Sequence, residues 1–182
     1  MSDASVAFRY AKPILELAIE QGIVDNINDD MQLLKTTADN NRDFFVVLKN
    51  PVIRGDKKLS ILKALFEDKM HKLTLLLFEI MTRKNRENIL YEVSKQFTRQ
   101  YNEYKGIQHV TLTSAISLPD ALKESLKQKL AQQLDKTIIL NEKVNPQLIG
   151  GFVVQVDNSQ IDNSIRSQLL RIKRNFTEDT SF

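Results

Sequence analysis

The apolar residues of this chain change their spacing at Gly106, and this change constrains the fold more than any other feature. Before Gly106 they recur every three or four positions, as in helices that bury one face. After it, Val110 and Leu112 alternate with polar neighbours, as in strands. The sequence therefore predicts an α+β protein with a helical domain over residues 1–105 and a smaller mixed α/β domain over residues 106–182.

Glycine and proline mark the boundaries of the helices in the first part. The chain has five glycines and four prolines, and most of them fall between the apolar segments. Gly22 follows the first segment as a C-cap would, and Asn50-Pro51 ends the third. Six helices are predicted, over residues 4–21, 23–39, 41–49, 56–67, 70–83 and 86–105.

The second part contains predicted strands and two predicted helices. Strands are indicated at Thr137 to Leu140, which is rich in β-branched residues, and at the apolar run from Phe152 to Val156. One helix begins near Ser117-Leu118-Pro119-Asp120, and its predicted apolar stripe is Leu118, Leu122, Leu126, Leu130 and Leu134. The other begins near residues 162–164, and its stripe is Ile165, Leu169, Ile172 and Phe176.

Patterns that would indicate catalysis or cofactor binding are missing from the sequence. There is no cysteine, and the two histidines, His71 and His109, lie in no metal-binding pattern. Gly150-Gly151 lacks the spacing of a dinucleotide site and is interpreted as a strand entry where a side chain would clash. No catalytic residue, cofactor or metal is predicted.

Two acidic motifs have structural interpretations. Asp29-Asp30 lacks the spaced ligands of a calcium loop and is assigned to a solvated helix face. Asp162 and Ser164 could form part of a nucleophilic site, but no GxSxG motif or suitably placed histidine accompanies them. Helix capping accounts for both residues.

Charge and hydropathy exclude other classes of protein. The net charge of +3 is spread evenly, with +2 in residues 1–105 and +1 in residues 106–182. The basic clusters, Arg83-Lys84-Asn85-Arg86 and Arg171-Lys173-Arg174, are typical of cationic helix termini, so nucleic-acid binding is not favoured. No apolar run is long enough to span a bilayer, and the first residues do not resemble an export signal, so a cytoplasmic location is expected.

The first and fifth predicted helices carry more apolar residues than one buried face requires. Seven of the nine residues from Leu73 to Met81 are apolar. Such helices can be central core helices, or they can form a groove that receives an amphipathic helix from a partner. In the second case we expect four residues to face outward and bind the partner: Tyr10, Ile14, Leu76 and Ile80.

Several segments resemble one known family. They are residues 148–156 (Leu-Ile-Gly-Gly-Phe-Val-Val-Gln-Val), residues 161–165 with Leu169, residues 8–18 of the first helix, and Asn50-Pro51 with Lys57-Lys58-Leu59 and Leu62. Together with the stretch from Leu76 to Gly106, these segments are similar to the delta subunit of F-type ATP synthases, whose mitochondrial counterpart is the oligomycin-sensitivity-conferring protein. The resemblance covers residues 4–176.

The resemblance implies a non-catalytic stator subunit with two domains. The six-helix domain, residues 1–105, would bind the N-terminal helix of the α subunit, and residues 106–182 would bind the C-terminal end of the b-subunit stalk. The protein would then lie at the cytoplasmic face of the bacterial inner membrane as a peripheral part of the complex, without inserting into the bilayer. It would hold the catalytic head against rotation while proton flow drives the rotor.

Two residues are expected to affect the local conformation of the backbone. Asn163 stands where the family more often has Gly, so a left-handed turn is expected there. Pro13 removes a hydrogen bond inside the first helix, and a bend is expected at that point.

Two alternatives to the stator function stay open. They are a helical RNA-binding factor of the antitermination type and an enzyme with an unrecognised site.

Overall fold

The computed structural model describes residues 3–156 and 159–178, and for residues 174–178 it describes the backbone only. The chain divides into two compact units, with the boundary between Tyr104 and Lys105. The first contains helices, whereas the second contains a four-stranded sheet and further helices. The predicted α+β class is confirmed.

Six α-helices follow one another in the described part of the first unit. They are α1 (Asp3–Glu20), α2 (Val24–Asn40), α3 (Arg42–Lys49), α4 (Gly55–Phe66), α5 (Lys72–Arg83) and α6 (Leu90–Tyr104), and a 3₁₀ turn (Glu87–Ile89) precedes α6. Helix α6 packs along α1 and α2, and α4 packs along α5. Pro13 lies inside α1 on its exposed side and does not interrupt the helix.

The core of this unit is apolar and closely packed. Ala7, Ala11 and Ala18 of α1 are completely buried, and these small side chains allow close approach of the neighbouring helix. Phe78 and Phe97 are also completely buried, in α5 and α6. All six helices contribute to one continuous cluster of buried side chains.

The side chain of Lys58 is buried within the first unit, where it connects three elements. Its Nζ atom donates to the carbonyl oxygen of Leu48, in the last turn of α3, and to Oε1 of Glu87, with both distances 2.9 Å. Only 2% of the Lys58 side chain and 9% of the Glu87 side chain are exposed. This pair therefore fixes the 3₁₀ turn against α3 and α4.

The second unit is built around a mixed sheet. Its strands are β1 (Ile107–Ser114), β2 (Thr137–Val144), β3 (Phe152–Val156) and β4 (Ser159–Asp162), in the order β2-β1-β3-β4. Strands β1 and β2 are parallel, with Val110 opposite Leu140, and the other pairs are antiparallel. The parallel pair is connected by helix α7 (Asp120–Leu134), as a crossover requires.

Only part of the predicted leucine stripe of α7 packs on the sheet. Leu118, Leu126 and Leu130 contact the apolar cluster around Val110, whereas Leu122 is 57% exposed and Leu134 is 38% exposed. Leu118 precedes α7, and within the helix positions four apart drift by about 40° per step, so Leu122 and Leu134, the first and last of the four, lie on either side of the packed face. The prediction of a single stripe is wrong for Leu122 and Leu134.

The last helix, α8 (Ile165–Glu178), begins against the Gly150-Gly151 pair. A Cβ atom on Gly151, whose φ is +76°, would lie 2.3 Å from the carbonyl oxygen of Asn163, and one on Gly150 would lie 2.6 Å from Cδ1 of Ile165. The clash that the sequence predicts for a side chain at Gly150-Gly151 is confirmed. The expected left-handed turn at Asn163 is wrong, because Ile149 and Gly151 have the positive φ angles in this segment.

Asp162 and Ser164 cap helix α8, as the sequence predicts. The backbone N–H of Ser164 donates to Oδ1 of Asp162 at 2.9 Å, and the hydroxyl of Ser167 donates to Oδ2 at 2.6 Å. The hydroxyl of Ser164 accepts from the backbone N–H of Ser167 at 3.2 Å. The hydrogen bonds from Ser167 and Ser164 hold the pKa of Asp162 below its ordinary value of 3.8.

The first prediction concerns the buried Lys58 pair. Lys58→Met should lower the free energy of unfolding by about 3–5 kcal/mol, because it leaves the Glu87 carboxylate buried without its cation. The double variant Lys58→Met/Glu87→Leu should recover much of this loss, since an apolar pair leaves no buried charge. Urea unfolding provides the measurement. Lys57→Met, at the exposed neighbouring position, is the control and should change stability by less than about 0.5 kcal/mol; an equal effect of both single variants would contradict the prediction.

The second prediction concerns pH. Because the pKa of Asp162 is lower in the folded chain, its cap should stabilise the second unit fully above the ordinary value of 3.8 and lose this effect as pH falls through the folded value. Asp162→Asn should therefore destabilise this unit at pH 7 and reduce the dependence of its stability on pH below about 4. Thermal unfolding followed across that pH range tests both effects. If the variant loses stability at acid pH as steeply as the wild type does, Asp162 does not act as the cap.

Candidate partner-binding surface

Helix α5 exposes two large apolar side chains to solvent on one face. Leu76 and Ile80 are four residues apart and therefore neighbours on the helix surface, with 48% and 38% of their areas exposed. On the opposite side of the same helix, Leu77, Phe78 and Met81 are buried in the core. Helix α5 is thus apolar nearly all round, and the core covers only part of it.

A salt bridge separates this face from the contact between α4 and α5. Nζ of Lys63 lies 2.6 Å from Oε1 of Glu79. The hydrogen bond between them raises the pKa of Lys63 and lowers that of Glu79. Glu79 therefore points toward α4, and Ile80, the next residue, is rotated from it by about 100°. The exposed face of α5 lies outside the α4 contact.

The N-terminus of α5 is fixed by a buried carboxylate. Oδ2 of Asp30, on α2, accepts from the backbone N–H of His71 at 2.8 Å and from the hydroxyl of Thr74 at 2.6 Å. The assignment of Asp29-Asp30 to a solvated face is therefore wrong for Asp30, which is 7% exposed, and holds for Asp29. Asp30 is buried because the first turn of a helix has N–H groups that need acceptors.

The C-terminus of α5 ends in a left-handed turn. Asn85 has a φ of +53°, and its N–H donates to the carbonyl of Thr82, while the N–H of Arg86 donates to the carbonyl of Met81, with both distances 2.9 Å. This pair of hydrogen bonds is a Schellman motif, which asparagine tolerates better than most residues. Glu87, held by Lys58, follows directly. Both ends of α5 are thus anchored to neighbouring helices.

The turn after α5 lies next to the middle of α1. The guanidinium carbon of Arg86 lies 5.9 Å from the centre of the Tyr10 ring, within the range of a cation–π contact. Tyr10 is half-buried and packs against the core cluster. A cleft of about 380 Å³ opens here, lined by Val6, Arg9, Tyr10 and Arg86. We refer to Tyr10, Leu76 and Ile80 as the α1/α5 surface.

The structure places three of the four predicted contact residues within reach of a partner. Leu76 and Ile80 are exposed, and Tyr10 is half-buried. The expectation that Ile14 faces outward is wrong, because Ile14 is 6% exposed and belongs to the core. On α1 it lies on the same side as Ala7, Ala11 and Ala18, which pack inward.

Exposure alone does not distinguish the α1/α5 surface from other parts of the first unit. Ile61 and Leu65 of α4 are 38% and 43% exposed, comparable with Ile80 and Leu76. What differs is the surroundings of Tyr10, which lines a cleft together with the guanidinium groups of Arg9 and Arg86. Sequence analysis missed the burial of Lys58 and Asp30, because a hydropathy pattern assigns charged residues to solvent. It also missed the contact of Arg86 with Tyr10, which joins segments far apart in the sequence.

The second unit has an exposed apolar stripe on α8. Ile165, Leu169 and Ile172 are 43%, 52% and 50% exposed. They recur at intervals of four and three, so they share one face of the helix. The side chain of Phe176, the fourth predicted member of this stripe, lies outside the described side chains. Residues 163–177 also include four basic residues and no acidic one.

A metal-binding cluster and a membrane-spanning helix are both absent from the described parts of the chain. Residues 3–156 and 159–173, whose side chains are described, contain no group of three or more His, Asp or Glu side chains arranged to hold a metal ion. No helix among them combines the length and apolar character that crossing a bilayer requires.

Comparisons with known proteins agree with one family. The model of the family described as ATP synthase delta (OSCP) subunit matches residues 6–176. The chain is 38% identical over 178 residues to ATP synthase subunit delta of Cytophaga hutchinsonii, covering 98% of this chain and 97% of the relative. It is 36% identical over 174 residues to the subunit of the same name from Carboxydothermus hydrogenoformans, covering 96% and 98%.

A solved structure supports the fold. The chain aligns with a chain of the cryo-EM structure of the Toxoplasma gondii mitochondrial ATP synthase hexamer with a TM-score of 0.74, covering 94% of this chain and 97% of that one. The sequence identity is 18%, so this likeness concerns the fold alone.

Proposed function

The chain belongs to the ATP synthase delta (OSCP) subunit family, a non-catalytic part of the peripheral stalk of F-type ATP synthase, and from this premise we propose which partners its two units bind. The six helices of residues 1–105 form the domain that holds the N-terminal helix of the α subunit. Residues 106–182 hold the C-terminal end of the b subunit. The RNA-binding alternative has no support from the related proteins.

The observation that carries this proposal is the pair of exposed apolar residues on α5. Leu76 and Ile80 lie on a helix anchored at both ends, so their positions are fixed before any partner arrives. A preorganised apolar ridge is what an amphipathic helix needs in order to bury its own apolar face without first ordering the receptor. Tyr10 adds an aromatic wall from α1.

For the second unit, the supporting observation is the exposed stripe of α8. Ile165, Leu169 and Ile172 provide an apolar surface of the length that one helical partner covers. The basic residues of the same helix favour a partner with acidic side chains beside its apolar ones.

The two attachments together explain how a subunit without catalysis contributes to ATP synthesis. The rotor exerts torque on the catalytic head, and the head must be held still for that torque to be used. A link from the α subunits to the b stalk resists this rotation, and its loss would uncouple proton flow from synthesis. We place the protein, as a peripheral component, at the cytoplasmic face of the bacterial inner membrane.

The third prediction tests the first attachment with a peptide from the N-terminus of the same organism's α subunit. Ile80→Asp in the full chain should lower the affinity at least tenfold, because docking would desolvate an unpaired carboxylate, and should leave the urea midpoint nearly unchanged. Isothermal titration calorimetry gives the affinity. Ile61→Asp is the matched control, since Ile61 has the same exposed fraction of 38% on α4.

Ile14→Ala provides the opposite comparison within the same experiment. It should lower the free energy of unfolding by about 2–5 kcal/mol, as truncation of a core residue does, because Ile14 is buried. If Ile80→Asp and Ile61→Asp reduced affinity equally, or if neither did, the α1/α5 surface would not be the binding site.

The fourth prediction tests the second attachment with a peptide from the C-terminal end of the b subunit. Leu169→Asp should weaken binding at least tenfold, since Leu169 lies at the centre of the α8 stripe. Leu122→Asp on α7, at a position of similar exposure, should have little effect. Surface plasmon resonance with the full-length protein measures both. Equal binding by the two variants would exclude α8 as the contact.

A further inference from the structure

The basic segment after α5 contains one side chain that the helix terminus does not explain. Arg83 lies in the last turn of α5 and Lys84 is its C-cap, where cations oppose the negative end of the helix dipole. Arg86 comes after the left-handed residue Asn85 and lies over the ring of Tyr10 instead. Its position therefore calls for a different explanation.

The position of Arg86 is determined by the backbone on both sides of it. Its N–H is bonded to the carbonyl of Met81, and the next residue, Glu87, is held in the core by Lys58. The arginine side chain thus starts from a fixed point, and its guanidinium carbon lies 5.9 Å from the centre of the Tyr10 ring. Such a group presents its N–H donors at its edge, in the geometry that matches a carboxylate.

The surroundings of Arg86 leave its charge available to a partner. Among the described side chains, those of residues 3–156 and 159–173, no Asp or Glu forms a salt bridge with the Arg86 guanidinium, whereas Lys58 and Lys63 in the same unit are paired with Glu87 and Glu79. The described lining of the cleft beside Arg86 holds no carboxylate. Arg86 lies three residues beyond Arg83, the last residue of the helix that carries Leu76 and Ile80.

These features together specify the occupant of the surface. We propose that the α1/α5 surface recognises an amphipathic helix that carries a carboxylate at one end of its apolar face, and that Arg86, which lies over the ring of Tyr10, binds this carboxylate. The apolar ridge provides burial, and the arginine sets the direction and register in which the helix lies. A helix docked in reverse would leave Arg86 without its partner. This inference rests on the proposed function, because it assigns the chemistry of the α-subunit helix.

The experiment is a double-mutant cycle with the full-length protein and the α-subunit N-terminal peptide. Arg86→Gln should weaken binding about tenfold at low salt, which is typical of a hydrogen bond to a charged group. Neutralising each Asp and Glu of the peptide in turn should identify one substitution that weakens binding to the wild type by a similar factor and has no further effect on Arg86→Gln. Raising the salt concentration should weaken the wild type more than the variant.

Two further variants separate recognition from structure. Arg86→Lys retains the charge but loses the planar fork, so its affinity should fall between those of the wild type and Arg86→Gln. Arg42→Gln, which removes the same charge from an exposed position on α3, should change affinity less than twofold. The urea midpoints of all three variants should stay close to that of the wild type.

The outcomes distinguish this inference from the proposed function. If Ile80→Asp abolishes binding while Arg86→Gln binds within twofold of the wild type at every salt concentration, Arg86 has no role in recognition and the surface is purely apolar. If Arg86→Gln lowers the urea midpoint and leaves affinity unchanged, the arginine only stabilises the turn, and the inference is also overturned. If the peptide does not bind the wild type, or binds Ile80→Asp equally well, the proposed function itself fails.

Discussion

The buried ammonium group of Lys58 is the interaction on which the first unit depends most. An ion of this kind is costly to remove from water, and the cost is offset only where acceptors surround it. Lys58 finds them in the carbonyl of Leu48 and the carboxylate of Glu87. These acceptors come from the end of α3 and from the turn before α6, so one side chain fixes the relation of three elements. One oxygen of Glu87, Oε2, is buried without a hydrogen-bond partner among the described residues, so the pairing with Lys58 is the main compensation for burying the carboxylate.

The ordering imposed by Lys58 extends to the surface. The 3₁₀ turn begins at Glu87, directly after Arg86. The Schellman motif that ends α5 lies directly before this turn. At the other end of α5, Asp30 satisfies the first turn. A helix with both ends fixed in this way presents its exposed residues at constant positions. In the proposed function, rigid presentation matters because a flexible attachment would transmit less force between the two partners.

Hydropathy period and turn residues account for most of the secondary structure. The helices of the first unit and three of the four strands follow from them, whereas β4 was missed because only one of its four residues, Ile161, is apolar. The pattern also failed at Ile14, since α1 carries apolar residues on two sides and periodicity does not say which side the core occupies. The burial of Asp30 was misjudged and that of Lys58 was not predicted, for a related reason: their burial depends on donors and acceptors from distant segments, which a local pattern does not contain.

Helix α8 leaves Ile165, Leu169 and Ile172 in contact with water, and this exposure has a thermal consequence. Covering an apolar stripe on association lowers the heat capacity, and the driving force from apolar burial weakens on cooling. The affinity of an interaction that relies on this stripe therefore falls on cooling, whereas the affinity of one that relies on ion pairs responds mainly to salt concentration. One unit of this chain has an apolar ridge and the exposed Arg86, and the other has an apolar stripe among basic residues, so binding through either unit would combine both dependences.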